Sequence, residues 1–227
     1  MRNIAKSLES LHKKIAHAEQ QYGRKAGSVT LLAVSKTRSV REINAAADYG
    51  QCDFGENYVQ EAIAKIISIK RSDLVWHFIG PVQSNKTRDI ATYFDWVHSV
   101  DRIKTVRRLN DARPDHLGPV NLCIQINTSM ESSKAGIRTD ELEQLLVECS
   151  NFSRVRIRGL MTLPKPCDDF RQQRLPFHEL KILLEKINMN GGQYDTLSMG
   201  TSHDYEAAIA EGSTIVRIGT AIFGARS

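Results

Sequence analysis

Val29-Thr-Leu-Leu-Ala-Val-Ser-Lys-Thr-Arg38 decides the fold. The stretch from Val29 to Ser35 is short, apolar and β-rich, so it reads as a buried strand. An open doubly wound sheet would place a Gly-rich turn directly after its first strand and would usually carry five or six strands. Here the strand runs into Ser35-Lys-Thr-Arg38, which contains no glycine. The choice then falls to the number of strands that follow.

Working outward, a helix is predicted over 3–22, with Ile4, Leu8, Leu11, Ile15 and Ala18 on one stripe. Strand one spans 29–35, and a helix over 39–50 is capped by Ser39 and ended by Gly50. Strand two is Cys52–Asn57, before a helix over 57–70. Strand three is Val75–Gly80, before a helix near 84–93, and strand four is Trp96–Asp101, before a helix over 102–111. Strand five is Val120–Asn127, followed by a loop and a helix over 139–150. Strand six spans 156–163 and is stopped by Pro164 and Pro166. A long helix, about 172–188, precedes strand seven at Thr196–Gly200; a short helix from Asp204 to Ala210 precedes strand eight at Thr214–Gly219. Strands alternating with helices imply parallel βα units, and eight of them describe a single (β/α)8 TIM barrel over 1–227. Only Thr220 to Ser227 follow the last strand, so the additional N-terminal helix is expected to cover part of the outer wall.

Composition narrows the function class. The 227 residues are 41% apolar and 25% charged, ordinary for a soluble globular protein. No apolar run approaches the length of a membrane span, and the amphipathic start Met1–Leu8 has no signal-peptide core. A cytoplasmic location is therefore expected. Cys52, Cys123, Cys149 and Cys167 show no CxxC spacing, and the histidines are scattered, so neither a disulfide framework nor a metal site is indicated. Net charge is +5, but the basic residues alternate with acidic ones along helices, which reads as solvated faces rather than a nucleic-acid surface.

Barrels keep their sites at the C-terminal ends of the strands, with phosphate held after strands seven and eight. Lys36 stands at the first such end. Desolvation there disfavours the ammonium form, and a neutral amine can condense with an aldehyde. After strand seven come Gly200-Thr-Ser202 and a helix start, and after strand eight Gly219-Thr220; hydroxyls and backbone N–H groups in both loops suit an anion. The plainer reading is that Ser202 caps a helix and Gly219 permits a turn. Arg217 shares a strand face with Gly219, and an arginine inside a barrel needs an acceptor. A pyridine nitrogen would serve, and so would Glu56, Asp101 or Asp204 in an ion pair. Lys36 and the two loops together point to pyridoxal 5'-phosphate (PLP). Asn57 is placed either to hydrogen-bond that cofactor's phenolic oxygen or to cap the helix after strand two. Met199 could pack on a ring face or belong to the core. His77 reads as a hydrogen-bonded core histidine, and Lys134 as a solvated charge on a loop over the mouth.

Seven ordered motifs carry a resemblance that spans the chain: Leu32–Thr37, Phe54–Glu61, Trp76–Pro81, Gln83–Lys86, Arg158–Met161, Leu197–Gly200 and Val216–Gly224. On these the chain resembles the pyridoxal phosphate homeostasis protein family, PLP-binding barrels similar to the N-terminal domain of alanine racemase. The resemblance implies a Schiff base at Lys36 and phosphate held by Ser202, Gly219 and Thr220. It places Arg217 at the pyridine nitrogen and Asn57 and Met199 beside the ring. It also implies storage and delivery of PLP, with apo-enzymes as recipients and a monomeric protein. Thr201, Val82 and Thr128 stand where the family usually has Met, Leu and Ile, and the family's short basic tail after Gly-Ala-Arg is missing. A racemase of this barrel type takes its second base from a separate β-domain, which is not expected here, although weak side activity would be compatible with the bound cofactor. A phosphosugar lyase or isomerase would account for Lys36 and the anion loops but not for Arg217.

Overall fold

Asn3 and Glu19 bracket the first helix, α1 (Ile4–Gln21). The Asn3 side chain accepts from the Lys6 N–H at 3.1 Å, a local N-cap. Near the other end the buried Glu19 carboxylate accepts from the N–H groups of Gly27 (2.9 Å) and Val29 (2.8 Å), which ties the helix to the entry of the sheet. Leu8, Leu11, Ile15 and Ala18 form the buried stripe.

The computed structural model describes residues 3–128 and 135–225; Lys134 lies outside the described residues. After α1 come β1 (Thr30–Val34), α2 (Val40–Asp48), β2 (Asp53–Glu56), α3 (Val59–Ile69), β3 (Val75–Phe78), α4 (Thr87–Tyr93), β4 (Trp96–Val100) and α5 (Ile103–Ala112). Then follow β5 (Val120–Gln125), α6 (Leu142–Cys149), β6 (Val155–Met161), α7 (Phe170–Met189), β7 (Thr196–Ser198), α8 (Tyr205–Ala210), β8 (Ile215–Ile218) and α9 (Thr220–Phe223). Every strand pair is parallel, and β8 returns to β1, closing the barrel in sequence order. The expected (β/α)8 architecture is the one observed.

Strands end a residue or two earlier than their apolar runs, where the regular ladder gives way to single bonds such as that from the Ile126 N–H to the Met161 carbonyl (2.8 Å). Strand five shows this: β5 ends at Gln125, and Ile126 pairs with Ile137 in an isolated bridge instead. Ser39 caps α2 as expected, in a reciprocal box: Glu42 N–H donates to Ser39 Oγ at 3.3 Å, and Ser39 N–H donates to Glu42 Oε2 at 2.8 Å. The four-residue α9 is too short to cover the barrel end, and α1 packs against α2, α8 and α9 to do so. Cys123 and Cys149 are buried and Cys52 and Cys167 exposed, all as free thiols, and burial pushes the Cys123 thiol up to about 12. No helix among the described residues is long and apolar enough to cross a membrane, and none of their side chains cluster as metal ligands.

Candidate functional site at the barrel mouth

Lys36 follows β1 by two residues, in a turn closed by Arg38 N–H donating to the Ser35 carbonyl at 3.0 Å, with Thr37 at a φ of 64°. Its side chain is half-buried. The flanks of the turn are clamped by α3. Lys65 Nζ donates to the Ser35 carbonyl (2.8 Å), to Glu56 Oε1 (2.8 Å) and to Glu61 Oε1 (2.5 Å). Glu61 Oε1 also accepts from the Thr37 N–H at 2.6 Å, and Ser35 Oγ donates to Glu56 Oε1 at 2.6 Å. Both residues beside Lys36 are therefore fixed by one buried charge cluster. Burial pushes the Glu56 carboxyl up, opposed by Lys65 and Ser35, and its Oε2 is buried without a protein partner. Sequence reasoning passed over Lys65, whose signal was the i, i+4 spacing from Glu61.

Asn57 does not cap the following helix. The N-cap of α3 is Tyr58, with no side-chain cap bond, so the capping alternative falls. Asn57 Oδ1 is instead buried without a protein partner. A Cβ on Gly80 would overlap the Asn57 carbonyl oxygen, so only glycine lets the β3 loop hold that backbone in place.

Arg217 is buried on β8, and its acceptors are neutral. Nη1 donates to the Ser198 carbonyl (2.5 Å) and Ser198 Oγ (2.7 Å), and Nη2 to the Thr162 carbonyl (2.8 Å). It forms no ion pair among the described residues, so the alternative of a carboxylate partner at Glu56, Asp101 or Asp204 is not the one observed. Burial brings its pKa down to about 10, with Asp204 acting in the opposite direction. His77 is a buried, hydrogen-bonded histidine as expected, 3.0 Å from Asp53.

The loops after β7 and β8 converge beside Arg217. The N-cap of α8 is Asp204, not Ser202, and the Asp204 carboxylate accepts from the Thr201 N–H (2.6 Å) and hydroxyl (2.8 Å). The Gly219 backbone has φ −118°, open to any residue, so turn formation is not its reason. A Cβ there would stand 3.0 Å from the Val34 carbonyl oxygen, so any larger residue would crowd the backbone of β1.

Lys36, Asn57, Ser202, Arg217, Gly219 and Thr220 line one cavity of about 270 Å³ at the C-terminal ends of the strands. Met199 does not. It is fully buried in the apolar core, while Met161 at the end of β6 takes a place in the cavity wall. Val34, Ile79 and Leu163 supply the apolar remainder, and Thr201 and His203 complete the rim.

A closed parallel barrel with a lysine after its first strand, a buried arginine on its last and hydroxyl-bearing loops after strands seven and eight defines a class. A profile of the alanine racemase N-terminal domain matches residues 7–227. The pyridoxal phosphate homeostasis protein of Escherichia coli (strain K12) is 47% identical over 100% of this chain and 98% of that protein. The chain belongs to the pyridoxal phosphate homeostasis protein family. The structure of PipY from Synechococcus elongatus PCC7942 with PLP bound matches with a TM-score of 0.84 and 35% identity, over 97% of this chain and 100% of that one. Alanine racemase of Clostridium difficile 630 shares the fold alone, at 14% identity and a TM-score of 0.73, over 95% of this chain and 56% of the racemase.

Proposed function

We propose that this chain holds PLP covalently on Lys36 and serves vitamin B6 homeostasis in the cytoplasm by storing the cofactor and passing it to apo-enzymes. The observation that carries the reading is one cavity lined at once by a lysine amine, a buried guanidinium, two hydroxyl loops and an amide whose buried oxygen has no protein partner. That amide suits the group, because its buried acceptor oxygen, left unsatisfied by the protein, can accept from a hydroxyl of a ligand. The full-length likeness to a protein named for PLP homeostasis and to a PLP-bound structure supports the same assignment.

When bound, PLP supplies an aldehyde that condenses with a lysine amine, and a ring that can accept electrons. The residues here would divide the binding work. Lys36 would hold the aldehyde carbon, and Asn57 the phenolic oxygen. Ser202 and Thr220, with the backbone beside Gly219, would hold the phosphate. Val34, Ile79 and Leu163 would exclude water from the ring. Arg217 would donate to the ring nitrogen. A guanidinium is a donor only, so the nitrogen would stay unprotonated and the ring would be a weak electron sink. That favours retention over turnover, as do relatives named for homeostasis rather than for a reaction.

Visible absorbance and intact mass before and after borohydride test the reading. A yellow protein that bleaches and gains one pyridoxyl-phosphate group per chain is expected. A colourless protein that traps a phosphosugar would replace this reading with the lyase alternative.

The phosphate loops give a separate prediction. Ser202→Ala with Thr220→Val is expected to weaken PLP far more than phosphate-free pyridoxal, because each hydrogen bond to a charged group contributes about 1.5–3 kcal/mol. Equilibrium dialysis of both ligands measures the difference, and equal losses would mean that the loops do not read phosphate.

A further inference from the structure

Beyond the cavity wall, four more polar side chains continue the line that begins at Arg217. Arg217 Nη1 donates to Ser198 Oγ at 2.7 Å, and Ser198 Oγ lies 2.7 Å from His98 Nδ1. His98 Nε2 lies 2.9 Å from His77 Nδ1, and His77 Nε2 lies 3.0 Å from Asp53 Oδ1. The contact between His98 on β4 and Ser198 on β7 joins strands that are not neighbours, so it crosses the lumen of the barrel. His77, His98 and Ser198 are buried, and only the Asp53 end reaches solvent, with 27% of its side chain exposed. The interior of such barrels is ordinarily filled with branched apolar residues. A polar line through it is costly unless every member is satisfied, and breaks of this kind concentrate at functional sites.

The ends dictate a direction. A guanidinium can only donate, and a carboxylate can only accept. With neutral rings, His77 must donate from Nε2 to Asp53 and accept at Nδ1. His98 must then donate from Nε2 and accept at Nδ1 from the Ser198 hydroxyl, which keeps its lone pairs for Arg217. Each link receives one hydrogen in this order and no other. Burial above all, with the Arg217 guanidinium alongside, drives the His98 pKa well below its ordinary value, in keeping with a neutral His98 ring. Besides this line, Asp204 and Cys123 act on Arg217 electrostatically.

We propose that Asp53, His77, His98 and Ser198 are positioning residues for Arg217: a one-way hydrogen-bond chain that orients the guanidinium towards the ring nitrogen of the bound cofactor. This rests on the reading of the cavity given above. The chain places its carboxylate three side chains away, at the start of β2, so Arg217 is oriented without a contact ion pair and retains donor strength for a ligand. A carboxylate in direct contact would compete for the same N–H groups.

The test uses the full chain labelled with ¹⁵N-histidine. Ring-nitrogen spectra of the ligand-free protein are expected to show His77 and His98 both as Nε2–H tautomers. Asp53→Asn keeps a hydrogen-bonding group but loses the obligate acceptor, so the tautomers should mix. After loading with PLP, Ser198→Ala should still gain mass at Lys36 with borohydride. Its visible absorption maximum should nevertheless move, and PLP retention should fall about three- to tenfold, a fraction of one charged hydrogen bond. Ser198→Thr, which keeps the hydroxyl, should restore both. An Nδ1–H tautomer at either ring of the unmodified protein would overturn the chain. So would wild-type spectra and PLP retention in both Asp53→Asn and Ser198→Ala. Failure of the unmodified protein to take up PLP would instead sink the cofactor reading, while the ring tautomers would still report on the polarity of the chain.

Discussion

Lys36→Ala is expected to abolish covalent retention of PLP while leaving the barrel folded. The turn around position 36 is held by its neighbours: Ser35 through Lys65 and Glu56, and Thr37 through Glu61. Truncating a half-buried side chain in such a turn falls among the milder substitutions, and a stability change within about 1 kcal/mol is expected. The chemical effect is all-or-none, because alanine has no amine. Non-covalent binding through Arg217 and the phosphate loops should survive at lower affinity. Borohydride reduction, digestion and peptide mass mapping give the readout. Pyridoxyl label recovered mainly on Lys65 or Lys134 of the unmodified protein would defeat the assignment, and unfolding of the variant would show instead that Lys36 has a structural duty.

Lys65→Met should produce the largest loss of stability, and the loss should depend on pH. Methionine has nearly the same length but cannot neutralise Glu56, whose side chain is fully buried. Removing one partner of a buried ion pair costs about 3–5 kcal/mol, because the other charge is left uncompensated. Glu61 is 31% exposed and can turn to water, so Glu56 carries most of the effect. The sign follows from linkage. Burial already raises the Glu56 pKa in the folded state, and loss of Lys65 raises it further. Below the unfolded value the carboxyl is neutral in both states, and the charge penalty vanishes. As pH rises from the unfolded value towards the raised folded one, stability falls by about 1.4 kcal/mol for each pH unit. Urea unfolding at pH 5 and pH 8 should therefore show the variant recovering much of its loss at the lower value. A loss equal at both would mean that Lys65 acts by packing alone.

Much of the barrel can be read from the chain, because its signals are local. Ser39 and Glu42 form a capping box three residues apart, and the stripe on α1 needs only its own periodicity. The glycine-free turn after β1 and the count of β-rich runs separate a closed barrel from an open sheet. Apolar residues continue past the assigned strand ends: Ile126 lies beyond β5, although its N–H still donates to the Met161 carbonyl of β6. Of the two places open to Met199, the core is the one it takes. Ser198 faces the lumen, where it meets Arg217, so its neighbour faces the outer core, as period-two alternation along a strand requires.

What the sequence by itself determined is the order of elements, the barrel, and the placing of Lys36 and of the Ser202 and Gly219-Thr220 loops at the ends of its strands. Each follows from residue type, local spacing or a motif. The tertiary structure alone decided who meets whom across the lumen. Arg217 meets Ser198 and Thr162 rather than a carboxylate, Lys65 neutralises Glu56 beneath the Lys36 turn, and His98 reaches Ser198 a hundred positions away. Alternation along a strand tells which face a side chain takes. Its partner depends on how far each strand is displaced along its neighbours as the sheet closes, and no single strand carries that displacement in its own sequence.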